Sequence, residues 1–505
     1  MSMERSRGYL PKEGVEAMMF EFLALFLAYV CIGTAIAFAS RRFGIASTRE
    51  MFVAGYRLSG FLAAMTYAAT TYSAFMMVGL VGLAYVFGVV ALGFELTYFV
   101  ATLGILATVG VALWRLAKVR GWVSPSEMIG DLYGSTKLSI FVALTYLIAL
   151  VPYLAAQIKG MGEVFRGIGM GYELGVALGT AIAFLWIALA GVWSVATTDA
   201  FQGVWMLGAA TCLALWLSLC LAPSMGTDVG SALMRLANAS NGNLLSCRWP
   251  LHVFLGYAIP WIFFALTNPQ VVQRLYMPRD AAAYRRMVVL FAFFGILYTV
   301  LTTFIGMVFR GLAMGSNIES ELLTNRDAVT PTILSMAPPL LASFVYVSIV
   351  AAACSTANSI ALSVASCIVR DLYEKRRGST DPGKVRVLTL AIVGILLIVA
   401  SIVAALRVSY VVELSVLSSA ILIPLAPVTL AGLFLEPRRW GWVAQMASIA
   451  VGYLAIPLAF IEGVRSVFVS TILGLPPTMW ILIASTILSL SGCRPRKRAY
   501  REYVL

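Results

Sequence analysis

Long apolar stretches recur along nearly the whole sequence. A helix needs about 20 predominantly apolar residues to cross the hydrocarbon layer of a bilayer, which is about 30 Å thick. Stretches of that kind lie at about 17–40, 59–86, 91–116, 137–158, 172–195, 200–222, 250–272, 286–310, 333–370, 383–406, 409–434, 439–460 and 467–492. We therefore predict an all-α, polytopic membrane protein with about 13 transmembrane helices, numbered 1 to 13 in chain order. Residues 1–505 contain no low-complexity linker, so a single integral domain is predicted.

The basic residues divide unevenly between the two ends of these helices. Of the 36 Lys and Arg residues, 25 lie on the side that holds the C-terminus and 11 lie on the other side. Cytoplasmic connections of membrane proteins carry the excess of basic residues. We therefore predict a multi-pass protein of the cell membrane, with its N-terminus outside and its basic tail, residues 493–505, in the cytoplasm. This orientation, together with anionic lipid, accounts for the net charge of +13 without a nucleic-acid partner.

Few residues are available for metal or covalent chemistry. His252 is the only histidine and stands at the predicted start of helix 7, so a histidine-based metal site or catalytic pair has almost no material. The 7 cysteines form no CxxC pair, and most lie within apolar segments, where they behave as small hydrophobic residues. We predict that the protein is not an enzyme and carries no cofactor.

Two predicted helices contain comparable interruptions. Helix 2 holds the polar cluster AATTYSA at residues 68–74, and helix 7 holds PWIFFALTNP, with Pro260 and Pro269. An unwound helix is tolerated in a membrane only beside a polar cavity or within protein, and a pair of such helices in corresponding positions is typical of an inverted-repeat transporter. The alternative is an ordinary pair of kinked helices whose Ser, Thr and Pro residues are satisfied internally.

Four acidic residues fall within or beside apolar segments, where a charge costs about 2.5–3.5 kcal/mol on insertion scales. Glu21 and Glu413 stand near the ends of helices 1 and 11, which favours a position at the membrane interface. Asp199, in VWSVATTDAFQGVWML, stands in the short predicted connection between helices 5 and 6 and is able to cap helix 6. Glu95 lies about a turn into helix 3, within reach of either water or an internal cavity.

Helix 9 carries two adjacent hydroxyls in the middle of an apolar run, in AAACSTANSIALSVASCIVRDLY at residues 351–373. Ala352, Ser355 and Thr356 share one helix face because residues three and four apart lie above each other. Two hydroxyl oxygens and a nearby carbonyl oxygen supply part of a shell for an alkali cation, and carbonyls released by an interruption near Ala69 and Tyr72 would complete it. Alternatively, both hydroxyls donate to carbonyls one turn earlier and allow close helix packing.

Four stretches in this order resemble the sodium:solute symporter family. They are AGYRLSGFLAAMTYAATTYSAFMMVGLVGLAYVFG, GVWSVATTDAFQGVWML, NPQVVQRLYMPRDAAAYRRM and AAACSTANSIALSVASCIVRDLY, within residues 54–373. The resemblance implies a five-plus-five inverted-repeat core: repeat one at about 59–222 and repeat two at about 250–434. Helix 1, at about 17–40, precedes this core, and peripheral helices 12 and 13, at about 439–492, follow it. It also implies that an inward flow of sodium drives the import of a small organic solute by alternating access.

The resemblance also implies the ion site, with sodium as coupling ion. Its ligands would be the backbone carbonyls of Ala69, Tyr72 and Ala352 and the hydroxyls of Ser355 and Thr356. Asp199 matches an aspartate that the family links to sodium coupling or release, although TT precedes it here where WT is frequent. Asn358 stands where many relatives have an aspartate, which alters the local charge but leaves the hydroxyl pair intact.

The solute pocket departs from the sugar and proline branches of the family. Thr71 replaces an aspartate of the proline branch, which argues against proline. Glu95 matches a glutamate that contacts the sugar, but Met76, Trp261 and Gly295 replace the glutamine, asparagine and lysine of the sugar branch. The expected pocket is therefore too apolar for a sugar. It comprises Ser73, Met76, Glu95, Trp261, Phe264 and Ser415, with Phe264 at the inner gate.

We predict a sodium-coupled symporter whose partners are sodium, a small organic solute and the lipid bilayer. A small carboxylate, an amino acid, a vitamin-like acid and an amine all remain open as solutes. The alternatives to sodium symport are a proton-coupled symporter that uses Glu95 or Asp199, and a transporter-like membrane sensor. The longest connections, 223–249 and 311–332, are either lids over an external vestibule or ordinary surface loops.

Overall fold

The computed structural model describes residues 12–44, 47–239, 242–246, 248–375, 381–407 and 409–495. Within these ranges, eleven helices are long and apolar enough to cross a membrane, and a bent pair makes a twelfth crossing. In chain order the helices are α1 (Met18–Phe43), the bent pair α2a (Gly60–Thr71) and α2b (Phe75–Phe87), α3 (Val89–Ala107), α4 (Thr136–Gly167), α5 (Tyr172–Leu189), α6 (Gly191–Ser224), α7 (Leu251–Tyr276), α8 (Ala281–Ala313), α9 (Pro339–Glu374), α10 (Pro382–Ala405), α11 (Val411–Phe434) and α12 (Gly441–Glu462). A shorter apolar helix, α13 (Pro477–Ser491), completes the predicted thirteen.

Shorter elements connect these helices. The helical ones are Thr48–Val53, Val109–Arg120, Pro125–Leu132, Val229–Ala237, Glu319–Thr324, Val329–Ser335 and Ser466–Val469. Two short strands, β1 (Glu436–Pro437) and β2 (Cys493–Arg494), pair antiparallel. This pairing joins the end of α13 to the connection between α11 and α12.

The most buried helices lie at the centre of the bundle. In the most apolar part of α11, 94% of the residues are buried, and in α9 the share is 83%. The corresponding share is 28% in both α1 and α12. Helix α9 packs against α1, α4 and α6, and α8 packs against both halves of α2 and against α3. The polar residues of α9 therefore face other helices and not lipid.

Helices α2 and α7 are both interrupted, as predicted. The two halves of α2 meet at an angle of 48°, with a break at residues 72–74. The amide of Ala74 within this break donates to Gln157 Oε1 at 3.2 Å, so a side chain of α4 satisfies the exposed backbone. In α7 the helical conformation is interrupted at Phe263 and again at Asn268, the residue before Pro269, where proline disfavours the helical conformation.

The turn between α5 and α6 differs from the prediction. We expected the connection at residues 195–200, but the chain turns at Gly191, which has a φ of +57°. A Cβ at this position would lie 2.8 Å from the Met51 carbonyl oxygen, so the turn requires glycine both for its backbone conformation and for its space. Asp199 consequently lies inside α6 and is not a cap at its start.

The two long connections are both packed against the bundle. In 223–249, the helix Val229–Ala237 packs against α8, and the Val89 amide donates to the Leu244 carbonyl at 2.9 Å. In 311–332, the Thr330 hydroxyl donates to the Met77 carbonyl of α2b. A Cβ at Gly82 would lie 2.3 Å from the Arg326 carbonyl oxygen. The second connection therefore lies directly on α2b.

Candidate ion and solute sites

The two hydroxyls of α9 face the point where α2a ends. Ser355 Oγ donates to the Ala69 carbonyl at 2.8 Å, and Thr356 Oγ1 lies 3.2 Å from the same oxygen and 3.1 Å from the Thr70 carbonyl oxygen. The last carbonyls of a helix have no partner within that helix, so α2a ends by presenting free oxygens. Ser355 Oγ also donates to the Ala352 carbonyl at 2.9 Å, one turn earlier in α9.

Four of the five predicted sodium ligands thus meet around one point. They are the Ala69 and Ala352 carbonyls and the hydroxyls of Ser355 and Thr356. The fifth, Tyr72, stands at the break itself, with its ring stacked at 5.8 Å on Phe291 of α8. The Thr70 carbonyl is an additional oxygen that the sequence analysis did not include. The hydroxyl pair therefore links two helices, and only Ser355 also donates within α9.

Asp199 is fully buried, in contrast to the predicted cytoplasmic connection. Thr66 Oγ1 of α2a donates to Asp199 Oδ2 at 2.5 Å, and Arg274 Nη2 of α7 lies 3.7 Å from the same oxygen. The other oxygen, Oδ1, has no hydrogen-bond partner among the described residues. The Thr-Thr-Asp run looks like a loop in the sequence because it is polar, but its polar groups face the protein interior.

A chain of hydrogen bonds connects Asp199 with the hydroxyl pair of α9. Arg274 donates to Thr66 Oγ1 at 3.1 Å and to Ser359 Oγ at 2.5 Å. Ser359 Oγ lies 2.8 Å from Thr70 Oγ1, and the carbonyl of Thr70 accepts from Thr356. This polar network therefore runs along α2a from its centre to its end.

The sequence analysis missed Arg274 and Ser359 as members of this network. We predicted that helix 7 ends near residue 272, which put Arg274 in a cytoplasmic connection, whereas α7 continues to Tyr276 and the arginine is 1% exposed. The only sequence signal was the position of this arginine within the quoted motif NPQVVQRLYMPRD. Asn358, next to Ser359, is also buried, and neither polar atom of its side chain has a partner among the described residues.

The predicted solute residues lie near the two interruptions. All six are buried, and they come from α2, α3, α7 and α11: Ser73, Met76, Glu95, Trp261, Phe264 and Ser415. The Trp261 and Phe264 rings are stacked, with centroids 5.2 Å apart. Ser73 Oγ accepts from the Phe75 amide at 3.2 Å, and Ser415 Oγ donates to the Val411 carbonyl of its own helix at 2.8 Å. Ser415 thus uses its hydrogen on a local carbonyl, whereas Ser73 accepts from an amide and keeps its own hydrogen for another acceptor.

Glu413 is buried, whereas the sequence favoured the membrane interface. Its carboxylate pairs with Arg326 and also accepts a hydrogen bond from Tyr257 at 3.3 Å. A second buried pair joins Lys159 of α4 to Asp327 at 2.7 Å. The connection 311–332 therefore supplies one member of each pair and ties α4 to the start of α11.

Comparison with known proteins identifies the family. The family model described as "Sodium:solute symporter family" matches residues 51–472. The chain belongs to the sodium:solute symporter family. This confirms the resemblance of the four motifs, and the family assignment covers the bent α2, the hydroxyl pair of α9 and Asp199.

Individual members of the family are distant relatives. An osmoregulated proline transporter of Bacillus subtilis is 25% identical over 90% of this chain and 92% of its own length. A sodium/pantothenate symporter of Escherichia coli is 26% identical over 76% of this chain and 80% of its own. A monocarboxylate transport permease protein of Rhizobium johnstonii is 29% identical, but the match covers 33% of this chain and 34% of that protein.

Solved structures have the same fold. A sodium-coupled sialic acid symporter, in a substrate-bound outward-open state, has a TM-score of 0.74 and 18% identity, and the match covers 94% of this chain and 99% of that one. A transporter of the nucleobase-cation-symport-1 family, in a closed conformation, has a TM-score of 0.55 and 14% identity, over 88% and 93% of the two chains. The predicted fold class, an all-α polytopic bundle with a five-plus-five core, is confirmed. The residue limits of the two repeats stay a prediction.

Proposed function

We propose that this chain is a sodium-coupled secondary active symporter that imports a small organic solute by alternating access. Its membership of the sodium:solute symporter family supports this proposal. The observation that carries it is the contact between the Ser355 and Thr356 hydroxyls and the free carbonyls of α2a. An alkali cation needs several oxygen ligands in place of its hydration shell, and this contact supplies them from two helices.

In this proposal sodium replaces the hydrogen bonds between α9 and α2a. When the ion enters, each hydroxyl turns its hydrogen away and directs a lone pair at the ion, so the same oxygens serve with and without sodium. The proposed ligands are the carbonyls of Ala69, Tyr72 and Ala352 and the hydroxyls of Ser355 and Thr356. Because these ligands belong to both helices, sodium stabilises one arrangement of α2a against α9.

The proposed coupling of sodium to the solute uses the interruption of α2. Ala69 and Tyr72 stand on one side of the break, and the solute residues Ser73 and Met76 follow immediately. An ion that orders the break also orders the start of the solute site. By thermodynamic reciprocity, sodium must then raise the affinity for the solute as much as the solute raises the affinity for sodium.

We assign the path of sodium release to the polar network that ends at Asp199. Polar groups follow each other from Thr356 through Thr70, Ser359 and Arg274 to this residue, whose Oδ1 has no partner among the described residues. The proposed release is toward the cytoplasm, in a cell-membrane protein with its N-terminus outside and its C-terminus inside, as the basic residues predict.

The experiment is a comparison of purified protein in sodium chloride and in potassium chloride. We expect sodium to raise the melting temperature. We also expect Thr356→Ala to weaken the apparent sodium affinity about 10-fold or more, since the loss of one oxygen ligand should cost about as much as the loss of a hydrogen bond to a charged group, about 1.5–3 kcal/mol. Thr389→Ala is the matched control, because Thr389 is equally buried but donates only to the Val385 carbonyl within α10. Equal sodium affinities in the Thr356 variant and the wild type would contradict the proposed site.

Proton coupling is the second candidate, because Glu95 and Asp199 both have buried carboxylate oxygens for which the described residues supply no partner. Uptake of solutes into proteoliposomes separates the two candidates. A sodium gradient at equal pH drives uptake in a sodium symporter, whereas a pH gradient in sodium-free potassium medium drives it in a proton symporter.

A further inference from the structure

Within the described part of the chain, the carboxylate of Glu95 has no partner. Glu95 lies in α3, and its side chain is 0% exposed. Neither carboxylate oxygen has a hydrogen-bond partner among the described residues. Burying a carboxylate without a counter-charge is costly, so such a group is normally paired.

The buried basic side chains of the described residues are already paired. They are Lys159, Arg274, Arg310 and Arg326, and each is 7% exposed or less. Their acidic partners are Asp327, Asp199, Glu319 and Glu413, respectively. None of these four basic residues is therefore free to neutralise Glu95, so its charge is balanced either by a bound proton or by a cationic ligand.

Aromatic rings surround the same region. Around Trp261, ring centroids lie at 4.9 Å for Phe75, 6.1 Å for Phe94, 5.2 Å for Tyr98 and 5.2 Å for Phe264. Phe94 precedes Glu95 in α3, and Tyr98 follows it on the same helix face. Glu95 is also close enough to interact electrostatically with Tyr72, Tyr98 and Tyr153. The carboxylate therefore lies beside a cluster of aromatic residues that includes tyrosines with buried hydroxyl groups.

A buried carboxylate beside aromatic rings favours a solute that carries a positive charge. The face of an aromatic ring carries partial negative charge and attracts a cation within about 6 Å of its centroid. An anionic solute would meet both these faces and the Glu95 carboxylate, and desolvation of its own charge would add to the cost.

We propose that the transported solute is a small organic cation, an amine or a quaternary ammonium compound. Glu95 neutralises its charge, and its carbon substituents lie against the rings of Phe75, Tyr98, Trp261 and Phe264. This inference rests on the proposed function, because it assumes that the aromatic cluster is the solute site of a symporter. Among the solute classes that the sequence leaves open, this inference favours the amine and excludes a simple carboxylate.

The present packing of the rings corresponds to a closed site. Centroid distances of 4.9–5.2 Å between Trp261 and three of its neighbours are contact distances, so the rings have to separate before a solute enters. Phe75 follows the break in α2, and Trp261 and Phe264 stand on either side of the first interruption in α7. Movement at these two interruptions opens the cluster without unfolding a continuous helix.

The test uses three compounds of one shape and different charge. They are choline, 3,3-dimethyl-1-butanol, which replaces its nitrogen by carbon, and 3,3-dimethylbutyrate, which carries a negative charge. A series of methylated amines widens the range of cations. Binding is measured by thermal shift and by calorimetry with purified protein in sodium chloride. We expect at least one cation to bind, and to bind at least about 10-fold more tightly than the neutral and anionic compounds of its shape.

Substitutions test whether Glu95 is the residue that binds the cation. We expect Glu95→Gln to weaken cation binding at least about 30-fold, as when one partner of a buried charge pair is removed. Glu163→Gln is the matched control, since Glu163 is also a buried glutamate but pairs with Arg166 near the end of α4, and it should leave cation binding unchanged. The inference is wrong if no cation binds, if the neutral or anionic compound binds as well, or if Glu95→Gln binds cations normally.

Sodium stabilisation in the absence of solute is recorded for every variant. A wild-type protein that responds equally to sodium and potassium contradicts the proposed function. A normal sodium response together with any of the three negative results contradicts only the cationic solute.

Discussion

The pair formed by Asp199 and Arg274 leads to a stability prediction that distinguishes two positions for Asp199: a helix cap at the surface, as the sequence suggested, and a buried ion pair, as in the structure. If Asp199 capped a helix at the cytoplasmic surface, Asp199→Asn would cost little, because asparagine caps helices about as well as aspartate. In the structure, Asp199 and Arg274 are 0% and 1% exposed, and Nη2 lies 3.7 Å from Oδ2. Removal of one partner then leaves a buried charge without compensation.

The expected magnitude follows from this burial. We predict that Asp199→Asn and Arg274→Met each lower the free energy of unfolding by about 3–5 kcal/mol, the range measured when a buried pair loses one member. Arg274 keeps its hydrogen bonds to Ser359 and to the Gln270 carbonyl in the first variant, which moderates that loss. The double variant should lose less than the sum of the single losses, by a coupling energy of about 1–3 kcal/mol.

The assay is reversible unfolding in lipid bicelles, followed for the wild type, both single variants and the double variant. Asp228→Asn is the control, because Asp228 is an exposed N-cap whose carboxylate accepts from the Ser231 amide at 3.0 Å. Additive losses in the double variant, or an Asp199→Asn variant as stable as the Asp228 control, would refute the buried pair.

Two further predictions concern a turn and an ion pair. Gly191→Ala should destabilise the protein by about 1–3 kcal/mol, because Gly191 has a positive φ and the added Cβ would lie 2.8 Å from the Met51 carbonyl oxygen. Gly104→Ala is the control: its added Cβ would meet no atom within 4 Å, and it should stabilise the protein by about 0.5–1 kcal/mol. Thermal unfolding of both variants checks this prediction, and equal effects would contradict it. Glu413→Gln should leave the charge of Arg326 uncompensated and loosen the connection 311–332, which lies on α2b. Thiol labelling of a single cysteine introduced in this connection should then be several-fold faster than without the substitution. An unchanged labelling rate would show that this ion pair does not hold the connection against α2b.

Helix number and order could be predicted because both depend on local properties. The length of each apolar run decides whether a helix crosses the membrane, and all thirteen predicted runs correspond to helices in the structure. The break in α2 was also visible as a polar cluster within an apolar run, and the break in α7 as two prolines. For the ion site, the residues alone left two interpretations of Ser355 and Thr356, and it was the resemblance to a family that favoured sodium.

The errors have a common physical cause. Asp199 and Glu413 were assigned to a connection and an interface because a charge in an apolar run is costly, and Arg274 fell outside helix 7 because the predicted helix ended near residue 272. Each of them is in fact buried and paired with a residue from another part of the bundle. The cost is offset by a partner that is distant in sequence, and no local pattern reveals such a partner. The position of the α5–α6 turn was wrong for a related reason, since the polar residues beside it face inward.

The sequence by itself determined that this protein is an all-α membrane bundle, which helices are interrupted and, through four motifs, the family to which it belongs. These features follow from apolar run length, backbone hydrogen bonding and local composition. Only the tertiary structure decided which polar groups meet: the α9 hydroxyls with the end of α2a, Asp199 with Arg274, and Glu95 with aromatic rings and, in the described ranges, no counter-charge. The reason is that a buried polar group is stabilised by its partners, and in this bundle those partners come from other helices.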